Sequence, residues 1–167
     1  MKRMNIVVSL VSMLALTSAR QGPSICPLLP AAEIEAVTGG KASAPVPGDN
    51  GQMRTCMWSV PAQKGGMTLS VGVLPPGTSA LAIAKKNPGM DALRKAKYTA
   101  VEKDYDNAYC SVMSPPALAK GGVIMTSCSA GAKGKIVSLV YISPTQKLAL
   151  DQTKALLDKA ISRDSMR

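Results

Sequence analysis

Histidine and phenylalanine are absent from this chain of 167 residues, and aromatic side chains make up only 3% of it. Without imidazole, Ser-His and Cys-His nucleophilic pairs and His-ligated metal centres are excluded at once. Residues 20–167 also hold no Ser-x-x-Lys, no Gly-x-Ser-x-Gly and no Cys-x-x-Cys. The lysine-assisted serine nucleophile, the hydrolase elbow and the common zinc spacing go with them. Scarce aromatics leave few surfaces on which unpaired bases could stack, so no specific nucleic acid is expected as a partner. The longest apolar run, 6–16, falls short of the roughly 20 residues that span a bilayer.

That run has another meaning. Lys2 and Arg3 precede it and Thr17, Ser18 and Ala19 follow it, the pattern of a secretory leader. Residues 1–19 are expected to be a signal peptide and 20–167 a single domain, periplasmic or secreted, with no transmembrane helix. All four cysteines, Cys26, Cys56, Cys110 and Cys128, lie in that domain. An even count in an oxidising compartment points to two disulfides. Three pairings exist, and the preferred one joins Cys26 to Cys56 and Cys110 to Cys128, keeping each bridge within one half of the chain. No metal site and no cofactor is expected.

Pro30 suits the first turn of a helix that carries Glu33 and Glu35 near its positive end and stops at Gly39-Gly40. The density of Pro, Gly, Ala and Ser over 41–52 predicts an exposed loop. A strand over 54–60 places Cys56, Trp58 and Val60 on one face. After Lys64-Gly65-Gly66, a second strand turns Met67, Leu69, Val71 and Val73 inward and Thr68, Ser70 and Gly72 outward. Thr78 or Ser79 caps a helix carrying Leu81 and Ile83 that ends at Asn87-Pro88-Gly89, and a short basic helix follows over 90–97. Strands are predicted over 98–103, 108–113, 123–129 and 135–142, the last apolar on both faces as suits a central position. Ser143-Pro144-Thr145-Gln146 has the form of a capping box opening a helix to about Ser162. Its stripe, including Thr153, Leu156, Leu157 and Ala160, would pack on the sheet.

The expectation is an α+β domain, an antiparallel sheet of about six strands with helices packed on it. A duplicated half is suggested by an echo: Cys56, Ser59, Pro61, Ala62 and Lys64-Gly65-Gly66 against Cys110, Ser114, Pro116, Ala117 and Lys120-Gly121-Gly122.

The chain carries a formal net charge of +10, and losing Lys2 and Arg3 with a leader leaves it strongly basic. Lys85, Lys86, Arg94, Lys95, Lys97 and Lys103 crowd one segment and form the candidate anion-binding patch, with an anionic polymer of the envelope as the partner it would suit. Carboxylate pairs are the other candidates. Glu33 and Glu35 do not share a helix face, and Asp104 and Asp106 sit in a predicted turn, so a histidine-independent hydrolase is only an alternative. Met53, Cys56 and Met57 offer soft copper ligands by type, but Met57 alternates away from Cys56 on a strand.

Cys26-Pro27-Leu28-Leu29, Glu33-Ile34, Val37 with Gly39, and Cys56-Met57-Trp58 together resemble the opening of a family of small exported bacterial envelope proteins and lipoproteins. That family is known mainly from actinobacteria and is of unknown function. The resemblance covers 26–58 closely and the rest only in element order. It implies an α+β fold with an antiparallel sheet and a bridge from Cys26 to Cys56, and it lends no catalytic residues. Pro30 stands where the family commonly has a Thr or Ser cap, and no lipobox precedes Cys26. The expected function is a non-catalytic binding or structural module of the cell envelope, with an unknown envelope partner.

Overall fold

Seven strands lie in one antiparallel sheet in a computed structural model that describes residues 23–116 and 121–165. The expected leader, residues 1–19, lies outside the described residues. The chain begins with a 3-10 turn, Cys26–Leu28, and helix α1, Ala31–Thr38, which ends where expected because Gly39 takes a left-handed conformation at φ 67°.

Next comes β1, Val46–Asp49, inside the stretch predicted as a loop. The correction has a physical cause. β1 is an edge strand, and its Pro47 sits at a position whose missing N–H would have faced away from the ladder. Strands β2, Met53–Val60, and β3, Gly65–Val73, then form the expected hairpin. Cys56, Trp58, Val60, Met67, Leu69 and Val71 are all buried, but Val73 is 74% exposed where the sheet ends beyond the core.

Helices α2, Ala80–Lys85, and α3, Pro88–Lys95, follow, with Ser79 and Asn87 as their N-caps. Helix α2 is buried through Ala80 and Ala84, whereas Ile83 is exposed. Ala80 lies over Gly131, where an added Cβ would come within 3.0 Å of its methyl, so small residues let helix and sheet approach. Strands β4, Thr99–Asp104, β5, Ala108–Ser114, β6, Ile124–Ala132, and β7, Lys135–Ser143, complete the sheet.

The sheet order is β1-β2-β3-β7-β6-β5-β4. Two three-stranded meanders therefore flank a central β7. The echoing blocks occupy equivalent places, the β2–β3 and β5–β6 connections, although Ala117 and Lys120 of the second lie outside the described residues.

The last helix, α4, Leu150–Ser165, begins later than the capping box predicts. Ser143 Oγ does accept from the N–H groups of Thr145 and Gln146, at 3.2 Å each. The Gln146 side chain is engaged elsewhere, accepting from Tyr141 Oη at 3.0 Å and donating to Thr38 O at 3.2 Å. With the glutamine tied to the sheet and α1, the chain runs irregularly to Leu150.

The 3-10 turn, α1 and α4 cover one face and bury the main core around Trp58, Leu69, Leu139, Tyr141 and Leu157. Helix α2 lies across β5 and β6 on the other face. Strand β5 is thus covered on both sides, whereas Met57 on β2 and Ile142 on β7 stay exposed. Cys26–Cys56 fastens the 3-10 turn to β2, with its Cα atoms 5.2 Å apart. Cys110–Cys128 crosses directly between β5 and β6 at 4.1 Å. Both bridges match the preferred pairing. No helix among the described residues is long and apolar enough to cross a membrane.

Candidate functional site

Because α2 covers only β5 and β6 on its face, it leaves a step beside the bare strands. There the N-terminal end of α2, the α2–α3 junction and the outer face of β6 and β7 enclose a groove of about 740 Å³. Ile83 and Ile136 give it apolar walls; Ser79, Ser129, Ser138, Asn87 and Lys86 supply polar groups. Ser129 and Ser138 sit opposite each other in register, with their hydroxyls 2.7 Å apart. The next residues in that row, Ser70 and Thr55, continue the hydroxyls across the bare face, and Ser70 Oγ donates to Ser138 O at 3.4 Å.

The polar capacity of the groove is only partly used. Ser79 Oγ caps α2 and Asn87 Oδ1 accepts from Gly89 N–H at 2.8 Å. The Asn87 amide nitrogen and the Lys86 ammonium have no partner among the described residues, and the serine pair can still accept hydrogen bonds. The arrangement suits a small molecule with an apolar body and an acidic or hydroxyl-bearing end. Sequence reasoning named Lys86 but missed Ser129 and Ser138. Their alternation with Cys128 and Val137 marks the outward face, yet nothing local shows that α2 would wall that face.

The six basic residues do not form one surface. Lys85 is paired with Asp104 at 2.8 Å, Arg94 with Asp91 at 3.0 Å and also with Glu102, and Lys103 with Asp151 on α4 at 2.7 Å. Lys103 points to the α4 side of the sheet, over the Tyr105 ring at 4.8 Å, away from α2 and α3. Glu102 holds the Arg94 guanidinium pKa up, Asp151 does the same for Lys103, and Lys103 in turn lowers that of Asp151. Lys86, Lys95 and Lys97 carry no carboxylate partner among the described residues.

Glu33 is clamped by Arg163 through two bonds of 2.8 Å and lies 3.3 Å from Lys159. The Arg163 bonds hold its carboxyl below the usual range despite opposing burial. Glu35 accepts from Ala42 N–H at 3.0 Å. Met53 and Met57 are exposed on the outer face, while Cys56 is buried and oxidised on the inner one, so these three do not converge. Beneath Lys85 of α2, whose ammonium is 5.7 Å from the ring centre, Tyr109 is only 5% exposed and its hydroxyl has no hydrogen-bond partner among the described residues. Burial, with the nearby Glu102 carboxylate, pushes its pKa up to about 12.

No family model matches the chain, and no curated protein does. Among solved structures it is similar to the extracellular domain of PknH from Mycobacterium tuberculosis, with a TM-score of 0.54. The alignment covers 84% of this chain and 94% of that one, at 10% sequence identity. The fold is shared with that domain. At such identity the likeness speaks for architecture alone, and it agrees with the actinobacterial resemblance only to that extent.

Proposed function

We propose that this chain is an exported, non-catalytic binding module of the cell envelope whose ligand site is the groove between α2 and the β6–β7 face. Export is supported by the leader-like residues 1–19, by two disulfides among the described cysteines and by the extracellular origin of the structural neighbour. The observation that carries the site is the concavity itself: apolar walls, a paired serine floor, and an ammonium and an amide with no internal partner.

Octanoate and octyl glucoside, titrated into the isotope-labelled domain, test this by amide shifts. Saturable changes at Ser129, Ser138 and Lys86, abolished by Ile136→Trp, are expected. Shifts scattered over the surface, or none at millimolar probe, would remove the reading.

A second reading, a surface for an anionic polymer, is favoured by Lys86, Lys95 and Lys97 having no carboxylate partners. Three such contacts give a log affinity against log salt slope of roughly −2 to −3 on heparin. Elution at a salt concentration unchanged by replacing all three with alanine would dismiss it.

A further inference from the structure

The free margin of β4 carries an inference independent of the groove. Tyr105 and Ala108 exchange both backbone bonds, at 2.8 and 3.4 Å, which fixes the alternation along the β4–β5 ladder. Thr99, Val101 and Lys103 therefore bond toward β5, and Ala100, Glu102 and Asp104 direct their N–H and C=O groups away from the sheet. None of these outward groups has a hydrogen-bond partner among the described residues. The strand has neither proline nor glycine, and Val101 is 60% exposed.

Charged side chains ordinarily guard such an edge. Here they are tied back, Glu102 to Arg94 and Asp104 to Lys85 on one side, and Lys103 to Asp151 on the other. The edge is left electrically quiet with its backbone open.

Self-pairing about a two-fold axis allows few registers that set outward residues opposite one another. Centring on Glu102 opposes two carboxylates, and centring on Lys103 opposes two ammonium groups. Centring on Val101 sets Ala100 against Glu102 and Thr99 against Lys103, with no like charges facing.

We propose that β4 pairs antiparallel with β4 of a second copy of this chain, with Val101 on the two-fold axis, joining the two sheets edge to edge. Ala100 and Glu102 of each copy exchange N–H···O bonds with Glu102 and Ala100 of the other. The two Val101 side chains meet in a non-hydrogen-bonded pair, where Cα atoms come to about 4.5 Å, and each covers apolar surface of the other. A single six-residue strand gives a weak, concentration-dependent dimer.

Val101→Cys tests the register, since the four native cysteines are already bridged. Mild oxidation is expected to give a disulfide-linked dimer at least about tenfold faster than Val73→Cys, a control at a still more exposed position. Sedimentation of the unaltered protein is expected to show monomer–dimer exchange. Ala100→Pro, which removes an outward N–H, or Val101→Lys, which sets two ammonium groups across the axis, is expected to weaken it by about tenfold or more. Circular dichroism confirms that each variant is folded, and either one suffices. A monomer at every concentration up to about 1 mM, cross-linking no faster than the control, or dimers indifferent to a folded edge variant would each overturn the proposal.

Discussion

At the β1 margin of the sheet the outward positions are Pro47 and Asp49, with Pro45 just before the strand, and neither proline has an N–H to offer. At the β4 margin the outward positions are Ala100, Glu102 and Asp104, each with donor and acceptor intact. β1 is four residues long and β4 is six. One edge is short and loses its donors at two prolines, leaving Asp49 as the outward N–H of β1; the other is guarded only by charges already committed to its own helices. A sheet with one short, proline-blocked edge and one open edge pairs far more readily at the open one, which favours a dimer over a fibre.

Removing that difference should produce the largest change. With Pro45→Ala and Pro47→Ala together, both edges present complete backbones, and light scattering should show open-ended assemblies growing with concentration. A species no larger than the unaltered protein would mean that the prolines do not close the edge.

The two ends also differ in how they are stapled. Cys26–Cys56 ties a 3-10 turn to β2 across 30 positions, while Cys110–Cys128 joins strands already paired, across 18. On the chain-entropy model each is worth roughly 3 to 4 kcal/mol, the longer loop exceeding the shorter by about 0.5 kcal/mol. Replacing Cys26 and Cys56 with serine should therefore lower the urea midpoint more than replacing Cys110 and Cys128. The opposite order would place the weaker dependence at the β1 end.

A smaller effect belongs to the clamp that holds α1 against α4. Glu33 has a folded pKa below its unfolded one, because Arg163 bonds its charged form. Its contribution is thus complete above about pH 4.5 and disappears as pH falls through the folded value. Glu33→Gln should cost about 1 kcal/mol at pH 7 and leave stability less dependent on pH in the acid range. Parallel stability curves for the two proteins down to pH 3 would show that the clamp contributes nothing.

Strands announced themselves in this sequence wherever one face was wet, as in Met67, Leu69 and Val71 against Thr68 and Ser70. β1 did not, because proline reads as a breaker until its spacing is set against a ladder. Pro45 and Pro47 are two apart, the period of an outward-facing row. Periodicity also reports which side of an element is apolar, not what covers it. Hence the groove was hidden: Ala80, unremarkable as a residue, helps decide where α2 lies because Gly131 admits its methyl closely. Gln146 misled in the same way, since its partners Tyr141 and Thr38 belong to other elements. The bridges were legible because four cysteines in two halves leave few choices.

The smallest prediction concerns the turn that leads into the open edge. Tyr98 N–H bonds Leu93 O and Lys97 N–H bonds Arg94 O, both at 3.0 Å, so α3 ends in a Schellman motif with Lys97 in its left-handed position at φ 62°. A side chain there crowds its own carbonyl, and glycine avoids that cost. In the unfolded chain glycine has more freedom to lose, which offsets part of the gain. The left-handed strain outweighs the lost freedom, so Lys97→Gly should raise stability by about 0.5 kcal/mol, seen as a shift of the melting midpoint by a few degrees at most. Because the same change removes a charge with no carboxylate partner, Lys97→Asn, which also tolerates the left-handed region, should reproduce most of the gain if geometry is its source. Stabilisation by Lys97→Ala as large as by Lys97→Gly would trace it to charge instead.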